Sequence, residues 1–194
     1  MQTPVPDLLK TLYAAVCCGG FLLACVAFVI LRNRSTVSNK WTPLVPVVNG
    51  TLDRKKYRSA LLQGTYQQHP VLATLNLGGA EGPDIFRIEM QTVPRGPDWS
   101  IQYESEKLFG KEEWHIKTSN EILKQRLAES GTLTELQSWK SHPTISYRTA
   151  LEAVVYEEEG KIPQPERFQA QLDLLLRFAQ IMEQASRVPG KDNG

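Results

Sequence analysis

The sequence predicts an α+β fold: one N-terminal transmembrane helix, then an antiparallel sheet covered by a long C-terminal amphipathic helix and one or two short helices. Three observations predict it. Residues 11–31 form an uncharged, mostly apolar run, segments within residues 57–118 alternate apolar and polar side chains, and residues 165–187 repeat apolar side chains at the helical period. Alternating strands bury one face of a sheet, and an apolar helical stripe needs a sheet or a second helix beneath it.

The apolar run is long enough to cross a bilayer. A hydrocarbon core about 30 Å thick needs roughly 20 residues of helix at about 1.5 Å per residue. Lys10 precedes the run, and Arg32 and Arg34 follow it. The chain is therefore divided into five parts: a tail over residues 1–10, a span over 11–31, a juxtamembrane connector over 32–56, an α+β domain over 57–187 and a disordered tail over 188–194.

The charges beside the span predict its orientation. Only Lys10 stands before it. The basic residues that follow it are Arg32, Arg34 and Lys40 and, a little further on, Arg54, Lys55, Lys56 and Arg58. Lys and Arg favour the cytoplasmic side, so the large C-terminal domain is expected in the cytoplasm. All of these except Lys40 are expected at anionic headgroups of the bilayer, with the Trp41 indole at headgroup level in an extended connector.

A cysteine inside the run leaves one alternative open. Cys25 follows Leu-Leu-Ala, a pattern similar to a bacterial lipoprotein signal, and acylation there would make the domain extracytoplasmic. The apolar run continues to Leu31, which favours a span over a cleaved signal. All three cysteines of the chain lie inside the run. The domain is therefore expected to hold no disulfide, thiolate metal site or cysteine nucleophile.

Alternation predicts the strands of the domain. Residues 60–66 and 71–77 flank the turn Gln67-Gln68-His69-Pro70, and further strands are predicted over residues 86–91, 99–104 and 114–116. A single strand is predicted over residues 144–157, with Glu157, Glu158 and Glu159 as an exposed exit. The polar faces of the strands that contain Phe86 and Trp99, or an open edge strand, are candidate docking surfaces.

Capping patterns and apolar spacing predict the helices. Thr118 with Glu121, and Thr132 with Glu135, have the spacing of capping boxes, and Gly131 is a helix stop between them. The final helix begins at Pro165. Its apolar stripe contains Phe168, Leu172, Leu175, Ala179 and Met182.

The segment from Gly64 to Val71 resembles a turn of uncharacterised bacterial single-pass membrane-anchored α+β domains. In those domains a Gly-x-Tyr-x-x-x-Pro-Val hairpin precedes alternating strands, helices, a strand and a final amphipathic helix. Gln68-His69 stands where that pattern has Gly-Arg. The resemblance implies a fold and a membrane anchor, and it implies no catalytic residue.

The sequence contains no recognisable catalytic, metal-binding or phosphate-binding motif. The three histidines, His69, His115 and His142, are far apart and have no spacing typical of metal ligands, so neither a metal nor another cofactor is predicted. The Gly-rich segment at residues 78–83 leads into a strand and lacks the Lys-Ser/Thr of a phosphate loop. With 22 basic and 21 acidic residues, the charge balance disfavours nucleic-acid binding.

These observations favour a non-enzymatic, single-pass membrane protein. Its domain is expected to bind a protein partner, as an accessory subunit of a membrane complex, or to form a homo-oligomer. The alternative from another class is a membrane-anchored hydrolase assembled only in three dimensions. It would use His69 or His115 with a carboxylate such as Asp84 or Glu104.

Overall fold

A computed structural model describes residues 39–56, 59–79, 82–93, 96–105 and 112–186. The predicted span, Cys25 and the basic residues Arg32, Arg34 and Arg58 lie outside these ranges. A compact unit begins at Lys40. Within the described ranges, no helix combines the length and the apolar character that crossing a bilayer requires.

Eight strands form one antiparallel sheet in the order β1-β2-β3-β4-β8-β7-β5-β6. The strands are β1 (Thr51–Lys56), β2 (Ser59–Tyr66), β3 (His69–Asn76), β4 (Ile85–Gln91), β5 (Trp99–Ser105), β6 (Glu112–Thr118), β7 (Thr144–Arg148) and β8 (Ala153–Glu159). The helices beyond β6 in the chain are α1 (Glu121–Glu129), α2 (Thr132–Ser138) and α3 (Pro165–Ser186). The predicted α+β fold, with an antiparallel sheet and a long C-terminal helix, is confirmed.

One face of the sheet forms the core, and α3 covers it. A row of paired residues crosses seven strands on this covered face: Leu62, Ala73, Ile88, Tyr156, Ile145, Ile101 and Ile116. All of them except Ile116 are fully buried. On α3, Phe168 packs on Phe86 with ring centroids 6.1 Å apart, and Phe178 packs on Trp99 at 5.5 Å. The apolar side chains of the alternating strands therefore lie on the covered face, and the polar side chains lie on the other face of the sheet.

Polar contacts fix α3 to the sheet along its length. The hydroxyl of Tyr66, at the end of β2, donates to Asp173 Oδ1 at 2.6 Å. Burial and this carboxylate raise the pKa of Tyr66. Near the other end of α3, Trp99 Nε1 donates to the sulfur of Met182 at 3.1 Å. Both contacts join strand residues to helix residues about 80 to 110 positions later, so they hold the helix at one place along the sheet.

The connector is extended only in its last part, and the expectation of an extended chain is wrong for the part before it. It contains two short 3₁₀ turns, Thr42–Leu44 and Pro46–Val48, and then β1. Instead of lying at headgroup level, the Trp41 indole is fully buried, with its ring centroid 5.9 Å from that of Phe86. An aromatic side chain gains free energy from burial in a protein core as well as at a membrane interface, so its local sequence does not separate the two positions.

The hairpin between β2 and β3 is tighter than its sequence predicts. Gln67 and Gln68 alone form the turn, with φ angles of 45° and 74°, while His69 and Pro70 belong to β3. Two positive φ values are typical of the type I′ turn of two-residue hairpins, which usually contains Asn or Gly. Behind this hairpin, a Cβ on Gly64 would lie 2.3 Å from the carbonyl oxygen of Val48. Only glycine lets the connector approach β2 so closely.

Two features of the second half differ from their predictions. Asn120 caps α1, since its side-chain oxygen accepts from the N–H of Leu123 at 3.0 Å, and the predicted capping box at Thr118 is wrong. Likewise, Gly131, with φ 72°, precedes α2, and Thr132 lies inside the helix instead of capping it. Gly131 separates the two helices as predicted.

The strand predicted over residues 144–157 is two strands. A 3₁₀ turn, Thr149–Leu151, and Glu152 in a left-handed conformation at φ 50° separate β7 from β8. No glycine or proline stands at this reversal, so the sequence carried no turn signal there. The two strands pair with each other and lie between β4 and β5.

Candidate functional site

The candidate site is the second face of the sheet, which we call the open face. A row of paired residues crosses seven strands there: Gln63, Leu72, Glu89, Val155, Ser146, Ser100 and Lys117. In the described part of the chain, α3 packs on the covered face, while α1 contacts α3 and β6 and α2 contacts α1. The open face thus presents a broad sheet surface that these helices leave uncovered.

Charged side chains form a chain of ion pairs across the centre of the open face. Arg87 Nε lies 2.8 Å from a Glu89 oxygen, in an ion pair without hydrogen-bond alignment, and Arg87 Nη1 lies 3.3 Å from Glu157. Arg148 Nη2 approaches the other Glu157 oxygen at 3.4 Å. Val155 lies beneath them and is fully buried. Long side chains can cover apolar surface with their stems while their charged ends stay near water.

A shallow depression of about 470 Å³ adjoins these ion pairs on β5, β6 and β7. Its lining includes Ser100, Gln102, Lys117, Ser146, Arg148 and Glu157. The hydroxyl oxygen of Ser146 is buried and makes no hydrogen bond within the described part of the chain. A buried polar group without a partner is unusual, because burial without a hydrogen bond is costly.

Lys117 is the most exposed cation of the depression. Its ammonium donates to Glu104 at 2.5 Å and to Gln102 at 3.2 Å. The hydrogen bond from Lys117, followed by its charge, lowers the pKa of the Glu104 carboxyl. At the other end of the depression, the hydroxyl of Thr149 and then its backbone N–H, which donate to Asp98 at 2.6 and 2.8 Å, lower the pKa of Asp98. The depression therefore contains ionised groups of both signs.

A second polar cluster lies on the covered face beneath α3. The Tyr156 hydroxyl donates to Glu158, and Gln171 donates to the same carboxylate at 2.9 Å and to the Tyr156 oxygen at 3.0 Å. Burial, then the charge of Glu158, raises the pKa of Tyr156. Arg167 lies 3.6 Å from Glu158, and its guanidinium carbon lies 3.7 Å from the ring centroid of Trp139. These contacts join β8 to α3 and keep the tyrosine protonated, which suits a structural role.

The sequence prediction of an exposed acidic exit is wrong for this cluster, because Glu158 is half-buried and bonded to α3. One signal could have indicated it. Gln171 stands three residues after Phe168 and four before Leu175, inside the apolar stripe of α3, and it is fully buried. A buried polar side chain in such a stripe needs polar partners on the opposing element.

A cavity of about 500 Å³ lies at the end of the sheet beside this cluster. Its lining includes Ile85, Ser141, His142, Thr144, Glu158 and Glu159. The His142 ring stacks on Tyr103, with centroids 3.7 Å apart and planes 3° from parallel. Within the described ranges, no group of three or more His, Cys, Asp or Glu residues is placed to hold a metal ion.

Of the four residues considered for hydrolysis, His69, Asp84 and Glu104 have other partners. His69 Nδ1 lies 3.1 Å from the carbonyl oxygen of Gln91, and Asp84 accepts from the N–H of Gly78 at 3.3 Å. His115 is exposed on β6. Of these residues, all of them described, neither His69 nor His115 hydrogen-bonds to Asp84 or Glu104.

Of the residues predicted at the membrane surface, Trp41 lies in the core, and Arg54, Lys55 and Lys56 belong to the outer strand β1. None of the protein-family models, curated proteins or solved structures that were compared with the chain matches it.

Proposed function

We propose that the chain is a single-pass membrane protein whose domain binds a protein partner on the cytoplasmic side and carries out no chemical step. The partner would be another subunit of a membrane complex. The proposed span, residues 11–31, supports the anchor by its length and lack of charge. The basic residues from Arg32 to Arg58 support the orientation.

The open face is the observation that carries this proposal. Its polar groups are spread over five neighbouring strands, β4, β8, β7, β5 and β6. Small-molecule sites are usually concave and largely apolar, whereas the open face is shallow and lined by charged and hydroxyl side chains. Non-obligate protein interfaces combine such polar groups with bridging water.

The hydrogen bonds do not favour the hydrolase alternative, since His69, Asp84 and Glu104 bond to other groups and His115 is exposed on β6. The lipoprotein alternative depends on Cys25, which lies outside the described residues. It differs from our proposal in compartment, so a reporter fused after Gly194 distinguishes the two. Reporter activity on the cytoplasmic side supports the proposal, and reporter activity outside the cytoplasm contradicts the proposed orientation.

A matched pair of substitutions tests the binding surface. Gln102 lies on the open face, and Gln137 is exposed on α2. Full-length chains carrying Gln102→Trp or Gln137→Trp, tagged after Gly194, are purified from mildly solubilised membranes beside the wild type and a chain ending at residue 39. We expect wild type and Gln137→Trp to retain a partner that the short chain lacks, and Gln102→Trp to retain at least tenfold less. Equal recovery by both variants, or no protein above the short chain, contradicts the proposal.

A further inference from the structure

The sheet has two outer strands, and they differ in regularity. The pairing of β1 with β2 shifts its register between Asp53 and Lys56. By contrast, β6 pairs with β5 without interruption over seven residues, from Glu112 to Thr118. A regular outer strand presents backbone N–H and C=O groups to which another strand can add, whereas irregularity protects an edge. Of the two edges, β6 is therefore the one suited to pairing.

The side chains of β6 alternate between two environments. Three are exposed and belong to the open face: Glu113, His115 and Lys117. Trp114 and Ile116 belong to the covered face but are only half-buried, unlike Ile101 beside them, which is fully buried. The apolar core thus reaches the edge strand and ends there incompletely covered. A further strand would bury more of these two side chains.

The charges of β6 are unbalanced within one copy. Glu113 stands directly opposite Glu104 of β5, and like charges in that position are destabilising. Lys117 extends to Glu104 at 2.5 Å. Glu113 has no ion-pair partner in the described part of the chain. A cation supplied by a neighbouring strand opposite Glu113 would relieve this repulsion.

We propose that a second copy of this chain supplies that strand. Its β6 pairs antiparallel with the first β6 about a two-fold axis at His115. In this register Glu113 stands opposite Lys117 of the second copy, and Trp114 stands opposite Ile116 of the second copy. The two-fold axis repeats each pair. The dimer thus joins the two eight-stranded sheets, forms two ion pairs on the open face and buries two aromatic–aliphatic pairs on the covered face.

The charges select this register. A shift by one residue would put the covered face of one copy on the same side of the joined sheet as the open face of the other. A shift by two residues would place His115 opposite either Glu113 or Lys117 of the other copy, and both Glu–Lys pairs would be lost. The sequence of β6 is therefore complementary to itself in one register only.

The proposed dimer rests on the proposed function, because both treat the domain as a module that assembles with other proteins. It concerns a second surface, the outer edge of β6, which adjoins the depression because Lys117 belongs to both. Anchoring in a membrane would raise the local concentration of one copy around another, so a modest strand interface would be sufficient for association.

Cysteine cross-linking tests the register in membranes. In a full-length background with Cys17, Cys18 and Cys25 changed to Ala, His115→Cys places two thiols on the proposed axis. Cβ atoms directly opposite each other on antiparallel strands are about 4.5–5.5 Å apart, close to disulfide reach. We expect copper phenanthroline to give a disulfide dimer with His115→Cys. Glu113→Cys and Lys117→Cys should give one only when co-expressed. No dimer in either experiment, or equal cross-linking by Glu113→Cys alone, would overturn the proposal.

Charge reversal tests the ion pairs. Glu113→Lys or Lys117→Glu replaces two attractive pairs with two repulsive ones, so dimerisation should weaken about tenfold or more. The double variant should restore it. The matched control reverses Glu121 and Lys124, an exposed pair on α1 with 3.6 Å between charged atoms, and should have no effect. Single variants that dimerise like the wild type, or a double variant as weak as the singles, would contradict the pairing.

The two proposals fail separately. Partner recovery is measured with Glu113→Lys beside Gln102→Trp in the same membranes. Loss of the β6 dimer with partner recovery intact leaves the open-face proposal standing. If the β6 dimer forms normally but Gln102→Trp lowers the recovery of no partner, only the open-face proposal is contradicted. If neither β6 cross-linking nor partner recovery is observed, both are wrong.

Discussion

Replacing Trp41 with alanine should destabilise the domain strongly. The indole is fully buried between the connector and the sheet, with its ring 5.9 Å from that of Phe86. Truncating a buried aromatic side chain to alanine costs about 3–5 kcal/mol, since apolar contact is lost and a cavity remains. A domain of this size has a total stability of about 5–15 kcal/mol and loses about 2–4 °C of melting temperature per kcal/mol. The expected decrease in Tm is therefore about 6–20 °C.

The assay is differential scanning calorimetry of the full-length chain in detergent micelles. Lys40→Ala is the control, because Lys40 is the exposed neighbour of Trp41 and its substitution should change stability by no more than about 0.5 kcal/mol. Trp41→Phe keeps an aromatic ring against Phe86, so its melting temperature should lie between those of Trp41→Ala and Lys40→Ala. Equal melting temperatures for Trp41→Ala and Lys40→Ala would refute the assignment of the connector to the core. They would return Trp41 to the headgroup position that its sequence context suggests.

Three further substitutions test individual contacts. Gly64→Ala should cost about 1–3 kcal/mol in chemical unfolding, because the new Cβ would lie 2.3 Å from the carbonyl oxygen of Val48; an unchanged unfolding midpoint would contradict this close approach. Gln68→Gly should stabilise the domain by about 0.5–1 kcal/mol, because glycine accepts the φ of 74° without strain; a lowered Tm would count against the turn geometry. Tyr156 has a raised pKa in the folded state. Its contribution to the free energy of unfolding is therefore complete below the pKa of about 10 that the side chain has in the unfolded chain. Above that pH the contribution is lost by about 1.4 kcal/mol per pH unit. Tyr156→Phe should remove this part of the decrease between pH 10 and 11, and equal slopes for variant and wild type would show that the hydroxyl is not buried.

Alternation was sufficient to predict much of the sheet. Phe86, Ile88 and Met90 face the core as their spacing indicates, because a half-buried strand must alternate. Local sequence patterns gave wrong predictions where two neighbouring residues could play the same structural role. Thr118 and Asn120 are both good caps, and only the hydrogen bond to Leu123 distinguishes them. The reversal at Glu152 requires a positive φ at a residue that rarely adopts it, so no sequence signal marked it.

The candidate site was predicted in part. The sequence identified the polar faces of β4 and β5 as candidate docking surfaces. It could not give the strand order, which places β8 and β7 between them and brings Glu157 beside Arg87 and Arg148. Those residues are far apart in the chain, and their contacts follow from long-range pairing. Such pairing depends on the whole sheet and leaves no mark in a local window of sequence.

Photo-cross-linking at Gln102 in intact membranes tests the proposed binding role most directly. A photoreactive phenylalanine derivative replaces Gln102 on the open face or, as the control, Gln137 on α2 in the full-length chain. We expect a discrete adduct between position 102 and a protein other than this chain, and no such adduct from position 137. No adduct from position 102, or the same adducts from both positions, would contradict the open face as a partner-binding surface.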